Sequence, residues 1–169
     1  LACVLSRPAP IVPPAVKRKI GRNVGALSLW VDGAITEVER LEVTKERAPD
    51  IEAWNRQVQT VRLFWQLIYD TDYRNAKNLL VTPEWKIYKI DASRAFRIRS
   101  ELLDDVPLER FSRRVLAALA ALERETLEAR LGKWLDRPQI DALWKRRALI
   151  LEIAERRISE LGEDATLFD

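Results

Sequence analysis

The clearest hydrophobic pattern in the chain follows Asp50, where apolar residues recur every three to four positions. The series begins with Ile51 and Trp54 and continues to Ile68. This spacing places the apolar side chains on one face of a helix, and Asp50 is a suitable N-cap. We therefore predict a long amphipathic helix that ends near Tyr69.

A similar helical pattern returns in three stretches of the second half of the chain. They cover about 109–122, about 125–131 and 138–161. In the last stretch, Pro138 lies in the first turn, where proline is tolerated, and Gly162 follows the end. The C-terminal part of the chain is therefore predicted to be mostly helical.

Short apolar runs rich in β-branched and aromatic residues predict strands. Two runs, Val16–Ile20 and Ala26–Val31, flank the turn "GRN" and lead into the connector "VDGAITEVER". Two more, at 79–82 and 86–90, are separated only by "PEW", and a connection this short predicts an antiparallel hairpin. Before these strands, Leu1–Ser6 is predicted to be the end of a helix that the following prolines stop.

Oxygen-bearing side chains precede the first strand of this hairpin and follow the second. Asp70, Asp72, Asn75 and Asn78 come before Leu79, and Asp91 comes directly after Ile90. An antiparallel hairpin brings the start of one strand and the end of the other to the same end. These side chains are therefore expected to converge. Asp and Asn are also common in turns and caps, so a helix-to-strand connection without a ligand remains an alternative.

Composition indicates a soluble globular domain. The chain has 169 residues, of which 47% are hydrophobic and 33% are charged, and its 29 basic and 26 acidic residues are interspersed. This balance is typical of a solvated surface and not of a nucleic-acid interface. With one cysteine, no apolar run long enough for a membrane span and no secretory leader, we expect a cytoplasmic protein.

Two residue types are absent. Without histidine, the sequence excludes imidazole bases and histidine-bound zinc for the residues shown. Methionine is also absent, even at position 1, as expected of an internal segment or of a sequence from which residues are missing.

The order of elements resembles that of the protein-kinase-like superfamily, from the middle of the small lobe to the end of the large lobe. The stretch "NLLVTPEWKIYKIDASRAFR" is similar to the catalytic region of a group of mostly uncharacterised bacterial proteins that are HipA-like or phosphoinositide-kinase-like. The stretches "VPPAV", "GALSLWVDGAITEVER" and "LGEDATLFD" resemble the same group. The resemblance implies an α+β, protein-kinase-like fold, with a partial small β lobe at 1–47 and a helical catalytic lobe at 48–169.

The resemblance also implies a site for ATP and Mg²⁺. It makes Asp72 the catalytic base and makes Asn78 and Asp91 the magnesium ligands. Asp72 precedes Asn78 by six positions, one more than the kinase pattern has, so Asp70 competes for the role of base. The adenine-side hinge would be formed by Trp30, Val31, Asp32 and Gly33.

The implied function is phosphoryl transfer from ATP–Mg²⁺ to a hydroxyl acceptor on a protein, a lipid or a small molecule. The glycine-rich loop and the strand lysine of kinases do not occur in these residues, and we expect them upstream of Leu1. The 169 residues alone are therefore expected to be inactive. The alternatives are a pseudokinase that serves as a binding or regulatory module and a helical interaction domain in which the acidic residues have no common role.

Overall fold

The structure, a computed structural model, describes residues 11–169 and has mixed α+β architecture. Within this range, small β-sheets alternate with helices. The predicted helix end at Leu1–Ser6 lies outside the described residues. No helix within this range is long and apolar enough to cross a membrane.

The first two strands form an antiparallel hairpin whose residues are all exposed. Strand β1 covers Ala15–Ile20 and β2 covers Asn23–Ser28. The prediction of the second strand at Ala26–Val31 was wrong at both ends, because the turn contains only Gly21 and Arg22. Gly21 has a φ of 60°, which suits a two-residue hairpin turn, so Asn23 already pairs with Ile20.

The predicted connector after this hairpin contains regular structure. Strand β3 (Ile35–Thr36) leads into a short helix, α1 (Glu37–Glu39), and a π-helical turn at Arg40–Thr44. Thr36 caps α1 by accepting a hydrogen bond from the Glu39 backbone N–H at 3.1 Å. The connector therefore supplies a strand to the central sheet.

The long predicted helix is confirmed. Helix α2 covers Ile51–Ile68, and the Asp50 side chain accepts hydrogen bonds from the backbone N–H groups of Glu52 and Ala53. The helix ends at Tyr69, which adopts a left-handed conformation with a φ of 49°. Most of its last two turns is buried, as expected for a helix that packs its apolar face against the core.

The hairpin after α2 is also confirmed. Strands β4 (Leu79–Val81) and β5 (Ile87–Lys89) pair antiparallel, with Leu80 opposite Tyr88. Strand β3 pairs with the other edge of β4, which gives a three-stranded antiparallel sheet in the order β3-β4-β5. The predicted lobe boundary at residue 47 therefore separates in sequence two strands, β3 and β4, that pair in the same sheet. The division into lobes stays a prediction.

The C-terminal half is mostly helical, as predicted. Helices α3 (Arg113–Ala120), α4 (Arg124–Leu131) and α5 (Arg137–Leu161) are followed by the single-turn helix α6 (Glu163–Thr166). Asp136 and Gln139 form a capping box at the start of α5.

Helix α3 is shorter than its predicted range of about 109–122. Residues Phe111–Ser112 form strand β6, which pairs in parallel with strand β7 (Leu167–Phe168), so the helix begins only after this pairing. The Ser112 hydroxyl then accepts a hydrogen bond from the Val115 backbone N–H at 3.4 Å. The pairing depends on a segment more than 50 residues further along the chain, which the local pattern does not contain.

The main core lies between α2 and the C-terminal helices. It contains Leu63 and Leu67 of α2, Leu119 of α3, and Leu143 and Ile150 of α5, all of them buried. This packing fixes the C-terminal end of α2, where the loop with the acidic residues begins.

Candidate functional site

The loop between α2 and β4 joins Asp72 to Asn78. The Asn78 side-chain Nδ2 donates a hydrogen bond to Asp72 Oδ2 at 2.8 Å, and Asn75 Nδ2 donates to the same oxygen at 3.1 Å. A turn of 3₁₀ helix, Ala76–Asn78, sets the position of Asn78. Both amide groups therefore hold one oxygen of the Asp72 carboxylate, whose side chain is 25% exposed.

Asp91 lies at the same end of the hairpin as Asn78. The Ile90 backbone N–H donates to the Asn78 carbonyl at 2.9 Å, so the two strands are still joined next to Asp91. Asp91 is exposed and adopts a left-handed conformation with a φ of 50°, which aspartate tolerates better than most residues.

The Asp91 carboxylate has hydrogen-bond donors close by. Its Oδ1 accepts a hydrogen bond from the Ser93 backbone N–H at 3.0 Å. The pKa of Asp91 is lowered from its ordinary value, chiefly by the Ser93 side chain, then by the Ser93 backbone, with smaller effects of Lys89 and Arg94. Asp91 is therefore an exposed, ionised carboxylate at neutral pH.

Asp70 is enclosed in the protein. Its side chain is 0% exposed, and its Oδ2 lies 3.0 Å from the Nζ of Lys89, which is 2% exposed. Asp70 Oδ1 accepts a hydrogen bond from the Asp72 backbone N–H at 3.0 Å. Asp70 thus supports the loop from the protein interior, whereas the Asp72 side chain lies on the partly exposed side of the loop.

A basic segment follows Asp91 and contacts the loop. Arg94 Nη1 lies 3.6 Å from Asp72 Oδ1, and the Arg94 side chain is 65% exposed. The Thr71 hydroxyl donates a hydrogen bond to the Arg94 carbonyl at 3.1 Å. The segment that carries Asp91 is therefore fastened to the loop that carries Asp72.

The predicted hinge residues lie at the opposite end of the hairpin from Asn78. Gly33 has a φ of 65°, and a β-carbon placed on it would lie 3.3 Å from the Pro83 ring at the β4–β5 turn. Trp30 is 83% exposed, Asp32 is exposed and Val31 is half-buried. Gly33 is thus separated from Asn78 by the length of strand β4.

The polar side chains at the open end of the hairpin are of the types that bind a hard cation. Asn78 gives its Nδ2 to Asp72, which leaves its Oδ1 for another partner, and Asp91 offers an ionised carboxylate. Amide and carboxylate oxygens are the protein ligands that Mg²⁺ takes, usually together with phosphate oxygens and water. Residues 11–169 contain no group of three or more His, Cys, Asp or Glu arranged to hold a metal, so a site here needs ligands from a substrate.

A separate cleft of about 440 Å³ lies between α2, β5 and the start of α3. Gln57, Tyr88 and Arg114 contribute to its walls, and none of the predicted site residues does. The predicted site therefore lies outside this cleft.

Lys89 was not among the predicted site residues. The signal was present, because Lys89 is two positions after Ile87 and alternation along a strand places both side chains on the same face. A lysine on the buried face of a strand needs an anionic partner, and the acidic residues of the preceding loop were the candidates.

No protein-family model matches the chain, and a comparison with curated proteins finds no match. The roles given to Asp70, Asp72, Asn78, Asp91 and the hinge residues therefore stay predictions that depend on the resemblance of the short motifs.

Proposed function

We propose that the chain carries the catalytic lobe of a kinase-like protein, which transfers a phosphoryl group from ATP–Mg²⁺ to a hydroxyl acceptor. The observation that supports it is the direct hydrogen bond between Asp72 and Asn78 at the end of the hairpin that also presents Asp91. This arrangement combines an orientated carboxylate with an amide and a second carboxylate, the residue types that phosphoryl transfer requires.

In this proposal, Asn78 Oδ1 and the Asp91 carboxylate hold the metal. Bound Mg²⁺ would neutralise charge on the triphosphate. The rigid hairpin keeps the two ligands at a fixed separation, which is the contribution of the protein to positioning the reactants.

Asp72 is the proposed base. Its Oδ2 accepts hydrogen bonds from Asn75 and Asn78, so the proton of the acceptor hydroxyl would go to Oδ1, which lies 3.6 Å from Nη1 of the exposed Arg94. The partly exposed carboxylate can meet an acceptor from solvent, whereas Asp70 is enclosed and paired with Lys89. The geometry therefore favours Asp72 over Asp70 as the base and gives Asp70 a supporting role.

In this proposal, the hinge residues contact the adenine base at the other end of the hairpin. At about 3.3 Å per residue, the stretch from Asn78 to Pro83 spans roughly 16 Å. A nucleotide lying along the hairpin would then have its base near Trp30–Gly33 and its phosphates near Asp91. We place the protein in the cytoplasm, where ATP and Mg²⁺ are abundant, and assign it no nucleic-acid partner.

The proposal is tested by incubating the natural full-length protein with ATP labelled in the γ-phosphate and measuring Mg²⁺-dependent ATP hydrolysis and autophosphorylation. We expect turnover that EDTA abolishes, and the 169 residues alone should have none. A full-length protein that binds ATP–Mg²⁺ without turnover would support the pseudokinase alternative. A full-length protein that does not bind ATP would exclude both.

A further inference from the structure

The Lys89 ammonium is buried next to three oxygen atoms of the protein. Nζ lies 3.0 Å from Asp70 Oδ2 and donates to the carbonyls of Ile90 at 2.6 Å and Asp91 at 2.5 Å. Two of the three ammonium donors therefore have hydrogen-bond acceptors, and the Asp70 carboxylate balances the charge as an ion pair. Lys89 is therefore not available to bind a phosphate group.

These contacts connect two segments that are distant in sequence. Through Asp70, Lys89 reaches the loop, because Asp70 Oδ1 accepts a hydrogen bond from the Asp72 backbone N–H. Through its bonds to the two carbonyls, Lys89 reaches the turn where Asp91 adopts its left-handed conformation. One buried side chain thus joins the backbone of the proposed base to that of a proposed metal ligand.

The burial of the pair makes this connection rigid. Both side chains are almost completely excluded from solvent, and an unpaired charge in such a place is strongly disfavoured. The contacts therefore hold the loop and the Asp91 turn in one arrangement.

We propose that Lys89, paired with Asp70, is a positioning residue that sets the separation between the Asp72–Asn78 loop and the Asp91 turn. The role rests on the proposed function, because it concerns the metal ligands assigned there. Lys89 acts through the backbone of Asp91 and the side chain of Asp70, as outer residues around metal sites commonly do.

The test compares four forms of the full-length protein: wild type, Lys89→Met, the double variant Asp70→Asn/Lys89→Met, and Lys86→Met. The double variant leaves no unpaired charge in the core, and the asparagine amide oxygen can still accept the Asp72 N–H, so it is designed to fold where Lys89→Met alone does not. Lys86 is an exposed lysine of the same hairpin and provides the matched control.

Two measurements are made at a temperature where each variant is folded. Equilibrium binding of ATP is measured with Mg²⁺ and with EDTA, and amide hydrogen exchange is measured without nucleotide. In the double variant we expect the dissociation constant of ATP–Mg²⁺ to rise by about 10–100-fold, the range typical of such outer residues, and binding in EDTA to stay unchanged. Exchange at 71–78 and 90–94 should become faster, and Lys86→Met should match the wild type.

A lysine that only stabilises the fold would lower the melting temperature but leave ATP–Mg²⁺ binding by the folded protein unchanged. A folded double variant with wild-type ATP–Mg²⁺ affinity would therefore overturn the inference, and so would unchanged exchange in both segments. If the wild type itself does not bind ATP–Mg²⁺, the proposed function fails and the positioning role fails with it. The wild-type and variant measurements thus distinguish the two failures.

Discussion

Asp70 and Asp72 are two positions apart, yet their carboxylates lie in different environments. Asp70 is enclosed and paired with Lys89, whereas Asp72 is partly exposed and accepts two amide hydrogen bonds. The difference follows from where α2 ends, because the chain turns at Tyr69 and directs the next residue into the core. Substitutions at the two positions should therefore have different consequences.

Replacing Asp72 tests its role as the base. In the full-length protein, Asp72→Ala should leave ATP–Mg²⁺ binding almost unchanged but slow phosphoryl transfer by roughly 10²–10⁴-fold, the range for general acid–base catalysis. Asp70→Ala should instead lower stability, because it leaves Lys89 buried without its anionic partner. Thermal unfolding and γ-phosphate transfer are measured for both.

The same pair of variants can show that the assignment is reversed. If folded Asp70→Ala loses transfer at normal stability while Asp72→Ala keeps it, Asp70 is the base. Equal transfer by Asp72→Ala and the wild type would remove Asp72 from the chemistry.

At the scale of elements, the hairpin and the long helix could be predicted because their signals are local. Apolar spacing and the Asp50 cap specify α2, and the short "PEW" connection specifies an antiparallel turn. The positions of Asp72, Asn78 and Asp91 near the open end of the hairpin follow from this turn. The convergence of the Asn78 and Asp91 side chains on one metal stays a prediction.

Buried polar contacts between distant segments could not be predicted in this way. Gln66 donates hydrogen bonds to the carbonyls of Leu103 and Val106. Gln57 donates to the Trp85 carbonyl and accepts from the Ile87 backbone N–H, where the β4–β5 turn leads into β5. In the sequence, these glutamines resemble polar residues of an ordinary helix surface. Their burial depends on which segments fold against α2.

Arg146 of α5 has the largest fully buried side chain in the described part of the chain, and it makes further contacts of this kind. Its Nε donates to the Leu67 carbonyl at 2.9 Å, and Nη1 donates to the carbonyls of Arg97 and Arg99. The guanidinium carbon lies 5.5 Å from the centre of the Tyr69 ring. Burial lowers the pKa of Arg146 to about 10, so the side chain remains charged at neutral pH.

Removing this guanidinium should destabilise the protein. Arg146→Met removes one buried and two partly buried hydrogen bonds. A buried carbonyl left without a donor costs about 1–3 kcal/mol and a partly buried one less, so we expect a loss of about 2–4 kcal/mol in the free energy of unfolding. Arg156→Met, at an exposed position of the same helix, should change stability by no more than about 0.5 kcal/mol. Urea denaturation of the two variants makes the comparison, and equal stability would show that Arg146 does not secure α2.

At the scale of the whole molecule, the central sheet separates two regions with different chemistry. The open end of the hairpin carries the carboxylates and amides, and the turn end lies against Gly33 of the predicted hinge. Asp70, which directly follows the end of α2, and Arg146 of α5 support the first region through their buried contacts. A nucleotide that uses both ends would have to lie along the sheet.

The sequence marks the acidic loop by its own residues, whereas it assigns the hinge segment only through the resemblance, so the role of the hinge stays a prediction. The sequence could not predict that β3 joins the two segments, because a two-residue strand carries almost no periodic signal. The same holds for the parallel pairing of β6 with β7.

Binding of ATP to the full-length protein, titrated with and without Mg²⁺, tests the proposed site most directly when wild type is compared with Asp91→Asn. The amide has nearly the shape of the carboxylate and can still accept the Ser93 N–H, so the fold should persist while the anionic ligand is lost. Asp104→Asn, at another exposed aspartate, is the control. We predict Mg²⁺-dependent binding by the wild type and the control, and greatly weakened binding by Asp91→Asn. Equal Mg²⁺-dependent binding by a folded Asp91→Asn variant would contradict the assignment of Asp91 as a metal ligand.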